Sequence, residues 1–232
     1  MKLLALDTSS DACTVAVRNG DGLVARHALA AKQHTRLLMP MINEAMSESG
    51  LEFRELDALV LGNGPGSFIG MRIGAAVAQG IAFAAQLRVV PVSSMAALAL
   101  QALDEHEEDH VAVTQDAHMQ EVYFGLYQRS ADGLITGAGD ERLAGQVQLP
   151  ELATLPEQSC IAAGRGWRQY PDLYAANEST FSRTSEFVVP DARFVLKLGM
   201  AAFERGEHVS AADVDPAYLR HQVASTPART GP

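Results

Sequence analysis

The sequence is poor in cysteine and in positive charge. Its two cysteines, Cys13 and Cys160, stand far apart and outside any CxxC spacing. They predict no disulfide framework and no metal site, only two inert thiols in a reducing compartment. With 18 Lys and Arg against 28 Asp and Glu, the net charge is −10. This charge argues against autonomous binding to nucleic acid or to anionic membranes, although it permits a nucleic-acid pathway in which a partner supplies the basic surface.

Long hydrophobic runs are also missing. Asp7 interrupts the N-terminal MKLLAL, so this segment is predicted to be a buried strand and not an export signal. The longest weakly polar stretch, 73–85, carries Gln79 and is too short to span a bilayer. The remaining composition, with 47% hydrophobic and 20% charged residues, is typical of a globular protein. We therefore expect a cytoplasmic protein with no membrane partner.

Signals for catalysis are weak. No GxSxG element or triad context is present, so no catalytic residue is predicted. The segment HEEDH (106–110) offers two histidines at a metal-type spacing. The second histidine is predicted to begin a strand, however, so a solvated acidic connector is favoured and no metal site is predicted. His34 remains open as a helix cap or a partner contact.

Hydrophobic periodicity predicts two similar halves. In the first half, strands are expected at 2–7, 12–18, 22–29, 57–64 and 88–93, with helices around Pro40, up to residue 85 and at 94–103. Pro40 must lie in the first turn of its helix or kink it. In the second half, strands are expected at 110–116, 121–128, 133–137, 160–164 and 186–190, with a short helix between them and a final helix at 191–206.

Two copies of βββαβαβα form the plan of the actin-like ATPase (ASKHA) fold, an α/β architecture with two lobes. The predicted domains are an N-terminal lobe at 1–104, a C-terminal lobe at 105–221 and a disordered tail at 222–232. Whether the helix at 191–206 packs back on the first lobe is left open.

The most distinctive segment is GNGPGSFIGMRIG (62–74), a glycine-rich loop that leads into a helix. It matches neither the P-loop nor the dinucleotide fingerprint. Its glycines still allow backbone N–H groups to converge on an anion at the helix N-terminus, although a tight structural turn explains the same residues. DTSS (7–10) has the same two interpretations, as a phosphate contact or as a hairpin turn. The candidate nucleotide or anion loop comprises Asp7, Thr8, Ser9, Gly64, Gly66, Ser67 and Arg72.

Small residues recur every four positions along the following helix. They are Gly66, Gly70, Gly74, Ala78 and Ala82. A stripe of this kind allows another helix to approach closely. We therefore hypothesise a helix–helix contact with a second chain, while the alternative is packing against the protein's own sheet.

Six segments in order along the chain resemble the bacterial TsaB (YeaZ) family. They are LALDTS (3–8), QHTRLLMPMI (33–42), GNGPGSFIGMRIG (62–74), PVSSMAALA (91–99), DAHMQEVYF (116–124) and DPAYLR (215–220). The resemblance implies a non-catalytic scaffold that activates the paralogue TsaD, with the ATPase TsaE joining them, in threonylcarbamoyl transfer to adenosine 37 of tRNA. It also implies a homodimer in the absence of TsaD, and contact with tRNA only through the complex.

The resemblance implies a partner surface on two helices, and no intrinsic cofactor beyond ATP or ADP at the interface with partners. The expected interface residues are His34, Leu37, Leu38, Met41, Ile42, Gly70, Met71, Gly74, Ala75 and Ala78. TsaD carries metal-binding histidines where this chain has Ser94 and Leu98, and an acid where it has Ala96, which supports a non-catalytic role.

Two departures from the family pattern are Ile69, in place of threonine, and His118, in place of arginine. The competing interpretation is an enzyme acting on its own, either an actin-fold ATPase or kinase or a glycoprotease-like hydrolase.

Overall fold

The computed structural model describes residues 1–29, 31–145 and 148–219, so the predicted tail at 222–232 lies outside the described residues. The first half follows the predicted order. Its elements are β1 (Lys2–Asp7), β2 (Ala12–Asn19), β3 (Gly22–Leu29), α1 (His34–Ser49), β4 (Ala58–Gly62), α2 (Phe68–Ala85), β5 (Arg88–Val92) and α3 (Ser94–Asp104).

The second half begins with three strands and ends with a helix, as predicted. Its elements are β6 (His110–Asp116), β7 (Glu121–Arg129), β8 (Ile135–Gly137), β9 (Arg142–Gly145), β10 (Cys160–Ala163), α4 (Arg165–Gln169), α5 (Pro171–Asn177), β11 (Phe181–Thr184) and α6 (Ala192–Glu204). The segment 105–109 is an irregular connector, so the two histidines of HEEDH do not share a helical face.

Sheet topology shows the duplication directly. The first sheet has the order β3-β2-β1-β4-β5, and the second has the order β8-β7-β6-β10-β11 with β9 added beside β7. In each sheet the first three strands form an antiparallel meander, and the next two strands lie parallel to the first. The molecule is therefore a two-lobed α/β protein with the actin-like arrangement.

Two details of the predicted order are wrong. The strand expected at 186–190 is irregular, and the edge strand β11 lies earlier, at Phe181–Thr184. The strand β9 was not predicted, because four residues are too few to show a periodicity. Of the two alternatives for Pro40, the first turn is excluded, because α1 begins at His34.

Each face of the first sheet is covered by helices. Helices α1 and α2 pack on one face, around Leu6, Val15 and Leu61. Helix α6 packs on the other face, around Ala5 and Val60, so it returns from the second half of the sequence to the first lobe. Helix α3 packs on the second sheet and joins the two lobes.

Helix α2 lies close to the loop that follows β1, because its inner side is almost bare. A Cβ atom added at Gly70 would meet the backbone oxygen of Thr8 at 2.0 Å, and one at Gly74 would meet Thr8 Oγ1 at 2.5 Å. Ala78 and Ala82 continue this inner stripe and are buried in the same core. The stripe therefore packs against the protein's own sheet and does not receive a helix of a second chain.

Helix α2 has 18 residues with a mean hydropathy of 1.5, so by length and composition alone it could cross a membrane. It is longer than the stretch 73–85 that the sequence suggested. Its buried side, which includes Gly70, Gly74, Ala78 and Ala82, nevertheless packs on the first sheet, as in a core helix of a globular protein.

Replacing one glycine on each side of α2 by alanine distinguishes the packed side from the exposed side. We expect Gly74→Ala to lower the free energy of unfolding by about 1–3 kcal/mol, because the new methyl group meets Thr8. Gly80→Ala is the matched control, because no atom lies within 4 Å of the added Cβ. This variant should gain about 0.5–1 kcal/mol from helix propensity. Urea unfolding measures the free energy of unfolding of each variant. Equal changes in Gly74→Ala and Gly80→Ala would contradict the close packing of α2 at Gly74.

Candidate functional site

A cavity of about 630 Å³ lies between the lobes. The turn after β1, the beginning of α2, the end of β6 and the beginning of α4 all contribute to its walls. Polar groups of its lining include Ser9, Ser10, Asp11, Lys32, Thr35, Ser67, Gln115, Asp116, His118 and Arg165. Arg165 of the second lobe pairs with Asp11 of the first lobe across its mouth. Part of the glycine-rich loop, at Gly66 and Ser67, lines this cavity.

Asp7 lies beneath this cavity and is completely buried. Its Oδ1 accepts hydrogen bonds from the backbone N (2.7 Å) and Oγ (2.8 Å) of Ser9, and its Oδ2 accepts one from Ser94 Oγ at 2.5 Å. Ser94 Oγ in turn accepts a hydrogen bond from the backbone N–H of Gly64 at 3.0 Å. Ser94 thus ties the loop after β1 to the glycine-rich loop.

The carboxyl of Asp7 is unsuited to holding a metal-bound water. Burial raises its pKa above the ordinary value, and the hydrogen bonds from Ser94 and Ser9 only partly counteract this effect. Both oxygens are engaged within the protein, and there is no space at Gly62, where an added Cβ would lie 2.0 Å from Asp7 Oδ2. The residues present therefore do not fit a Mg²⁺–nucleotide site organised by Asp7.

The predicted nucleotide loop is only partly at the cavity. Ser9, Gly66 and Ser67 line it, whereas Thr8 and Gly64 are buried in the packing of α2. Ser67 caps α2, since its Oγ accepts a hydrogen bond from the backbone N of Gly70 at 3.2 Å. Arg72 points elsewhere and lies against Phe68. The other four residues of the predicted nucleotide loop do not line the cavity, and this part of the prediction is corrected. They are Asp7, Thr8, Gly64 and Arg72.

The second lobe supplies groups to the cavity that sequence reasoning did not assign. Asp116 accepts hydrogen bonds from Tyr170 OH at 2.7 Å and from the backbone N of His118 at 2.9 Å. Burial alone would raise the pKa of Asp116, but these hydrogen bonds and the nearby His118 lower it. Tyr170 and Arg165 could not be found by pattern, because nothing local in the sequence links them to Asp116 or Asp11.

Most of the side chains predicted to contact a partner are buried within the chain. Nine of the ten belong to the packed sides of α1 and α2, and only Leu37 is partly exposed. The buried nine are His34, Leu38, Met41, Ile42, Gly70, Met71, Gly74, Ala75 and Ala78. His34 Nε2 lies 3.2 Å from the backbone oxygen of Ala12, so this histidine is used inside the fold.

The opposite side of α2 is exposed and apolar. We call Ile69, Ile73, Ala76, Gly80 and Phe83 the outer stripe. These five residues lie within about 80° of one another around the helix axis. Ile69 is 70% exposed and Phe83 is 81% exposed. These two large side chains stand near the ends of the stripe, because Ile73 is partly buried and Ala76 and Gly80 are small. The helix that the sequence assigned to the partner surface thus exposes an apolar side, but this side is formed by residues other than those predicted.

The remaining reactive groups are inert or dispersed. Burial raises the pKa of the Cys13 thiol to about 11 and that of the Cys160 thiol to about 12, as expected for structural cysteines. Within residues 1–29, 31–145 and 148–219, no three His, Cys, Asp or Glu side chains converge as a metal site would require.

Comparisons with known proteins agree with this geometry. Residues 15–215 match the family described as TsaD: tRNA N6-adenosine threonylcarbamoyltransferase. The chain is 36% identical to the tRNA threonylcarbamoyladenosine biosynthesis protein TsaB of Haemophilus influenzae, over 96% of this chain and 95% of that protein. It is 33% identical to the Escherichia coli protein of the same name, over 97% and 96%. YeaZ from Pseudomonas aeruginosa superposes with a TM-score of 0.84 at 34% identity, covering 94% of this chain and 100% of that one.

Removing the Ser94 hydroxyl tests the link between the two loops. In Ser94→Ala, the N–H of Gly64 and one oxygen of Asp7 lose their partner in a buried site. We expect a loss of about 1–3 kcal/mol in the free energy of unfolding. Ser47→Ala, on the exposed side of α1, is the control and should change it by less than about 0.5 kcal/mol. Equal stabilities of the two variants in urea would refute the link.

The raised pKa of Asp7 predicts a pH dependence. The folded chain holds the Asp7 proton more tightly than the unfolded chain does, so the unfolded chain releases this proton first as pH rises. The contribution of the proton to the free energy of unfolding is therefore complete below about pH 4. It is then lost as pH approaches the higher pKa of the folded state. Asp7→Asn has no proton to release. Urea unfolding from about pH 4 to 7 should therefore show Asp7→Asn gaining stability relative to the natural chain. If the difference between their free energies of unfolding stays constant over this range, the raised pKa of Asp7 is disproved.

Proposed function

The chain belongs to the TsaB (YeaZ) family, and from this premise we propose that it is a non-catalytic subunit in the formation of threonylcarbamoyladenosine on tRNA. In this proposal it binds the catalytic paralogue TsaD, TsaE joins the pair, and tRNA is contacted through the complex. Participation in this biosynthesis is the part that the curated relatives support. The non-catalytic role and the partners are our proposal, as is a cytoplasmic location.

The observation that carries the proposal is the closed site at Asp7. The carboxylate that would organise a metal-bound water is buried, and its oxygens are occupied by Ser9 and Ser94. Two residues that follow Ser94 on α3 also support a non-catalytic role. Ala96 has no ligand atom, and Leu98 is fully buried in the core that α3 forms with the second sheet. Residues in these positions stabilise the fold and supply no donor for metal chemistry.

The outer stripe of α2 supports a role in binding a protein. Ile69 and Phe83 mark its two ends, and in the free chain both are largely exposed to water. A groove of about 910 Å³ continues this surface between the ends of α1 and α2, beside Gly80 and Ala84. Burial of such a surface favours association by roughly 25 cal/mol for each Å² of apolar area. We propose that the outer stripe binds TsaD, and that a second copy of the chain occupies it when TsaD is absent.

A nucleotide is expected at the interface with partners and not as a resident cofactor. The cavity between the lobes retains Gly66, Ser67 and Lys32, which are able to contact phosphate. Because Asp7 is closed off beneath the cavity, we propose that these residues provide binding and no hydrolysis. Efficient ATP turnover by the isolated chain would contradict this assignment and favour an independent ATPase or kinase.

A polar substitution on the outer stripe tests the proposed surface. We expect Phe83→Ser to weaken binding to purified TsaD by about tenfold or more, because a large exposed apolar anchor is lost. Isothermal titration measures the affinity. Threonylcarbamoyladenosine formation in a mixture with TsaD, TsaE and tRNA should fall in parallel at limiting concentrations of the subunit.

Leu23→Ser is the matched control, because Leu23 is 48% exposed but lies on the edge strand β3, away from α2. This variant should bind TsaD with the affinity of the natural chain. Sedimentation of both variants alone reports the homodimer. Full activity of the mixture without this chain would refute the proposed role, whatever the result for the two variants.

A further inference from the structure

Arg72 is held in one position on the exposed surface of α2. Its guanidinium carbon lies 3.8 Å from the centroid of the Phe68 ring, and its Nε donates a hydrogen bond to Tyr218 OH at 3.0 Å. The rings of Phe68 and Tyr218 contact each other with centroids 5.3 Å apart. Stacking and a hydrogen bond to Nε together fix the plane of the guanidinium.

Tyr218 is itself held in place by the segment that leads to it. Along this segment Gln79 Nε2 donates to the backbone oxygen of Val214 at 3.1 Å, and Asn63 Nδ2 donates to that of Asp215 at 2.9 Å. Val214 is buried in the core beneath α2. The residues before Tyr218 are therefore attached to the helix that carries Arg72, which makes the stack a part of the fold.

The two terminal nitrogens of Arg72 remain available. Within the described part of the chain, neither Nη atom donates a hydrogen bond, and no carboxylate lies within 4.0 Å of the guanidinium. Other arginines, such as Arg142 with Glu151 and Arg193 with Asp191, use the same atoms to bind an acid. Arg36, Arg88, Arg129 and Arg168 also form no ion pair within the described residues, but among these arginines only the guanidinium of Arg72 lies over aromatic rings.

The side of α2 that carries Arg72 is apolar. Helix α2 contains no acidic residue. Arg72 flanks the outer stripe and lies next to Ile69 and Ala76, three residues before it and four after it on the helix surface, so a partner that covers the stripe also covers the guanidinium. A guanidinium fork matches a carboxylate through two parallel hydrogen bonds. Inside an apolar interface such a pair contributes to affinity and fixes the register of the two surfaces.

We propose that Arg72 is the specificity-determining residue of the outer stripe and binds a carboxylate side chain of the protein partner. This inference rests on the proposed function and names the chemistry that the partner surface must present. The partner is a different protein and not a second copy. The acids on α1, Glu44 and Glu48, already pair with Arg26 of their own chain, so a copy docked through these helices offers no available carboxylate from them.

The test compares four variants of the full chain in titrations with TsaD at two salt concentrations. Arg72→Gln should weaken binding by about tenfold or more, and Arg72→Lys should recover only part of that loss, because lysine keeps the charge but not the fork. Tyr218→Phe keeps the ring and removes the acceptor for Nε, so a smaller loss is expected. Arg168→Ala is the control, because Arg168 is an exposed arginine of the second lobe and should not affect the affinity.

The salt dependence and the homodimer separate an ion pair from a merely structural role. Added salt should weaken the natural complex more than the Arg72→Gln complex. Homodimerisation should be the same in all variants. Arg72→Gln and Tyr218→Phe each remove a contact of the stack, so both should lower the thermal midpoint slightly, whereas only Arg72→Gln should cost about tenfold in affinity for TsaD. If Arg72→Gln binds TsaD as the natural chain does while Phe83→Ser fails, the carboxylate pairing is refuted and the docking surface stands. If neither substitution changes the affinity, or if the natural chain does not bind TsaD, the proposed function fails together with this inference.

Discussion

The first lobe depends on how closely α2 approaches the loop after β1. At Gly66, Gly70 and Gly74, an added Cβ would lie 2.1, 2.0 and 2.5 Å from atoms of Ser9 or Thr8. Glycine is costly inside a helix, by about 1 kcal/mol relative to alanine, so its presence at Gly70 and Gly74 requires compensation from packing. The same approach lets Thr8 Oγ1 donate a hydrogen bond to the backbone oxygen of Gly70 at 2.7 Å. Helix, loop and strand therefore form one rigid unit.

Burial of Asp7 follows from this close packing. With α2 against the loop and Ser94 at the beginning of α3, the carboxyl is enclosed by hydrogen-bond donors and has no access to water. In a nucleotide-hydrolysing enzyme, the corresponding geometry would need an open position for a metal-bound water. Here the polar groups that remain exposed between the lobes, such as Lys32 and Asp11, lie on the rim of the cavity and not beneath it. The arrangement retains the shape of a nucleotide cleft and closes its centre.

The sequence predicted most of the fold, because long periodic segments determine the strands and helices of both lobes. It could not determine which side of α2 faces inward. A stripe of small residues permits close approach by any neighbour, and only tertiary structure identifies that neighbour as Thr8. The partner surface was consequently assigned to Gly74 and Ala78, although the exposed residues are Ile69 and Phe83. The short strand β9 was missed because it shows no period, and the pairing of Arg165 with Asp11 because the two are distant in sequence.

A subunit without chemistry of its own influences a partner only if it binds one state of that partner better than another. Helix α2 is suited to this task because its two sides have different surroundings. Its inner side is fixed to the cleft by Gly70 and Gly74, and its outer side is exposed over 18 residues, or about 27 Å. A helix held in this way cannot adapt to a mismatched surface without disturbing the loop at Asp7. In the proposed role, this rigidity would increase the difference in affinity between partner states, so the glycines that pack α2 on the loop would also support discrimination by its outer side.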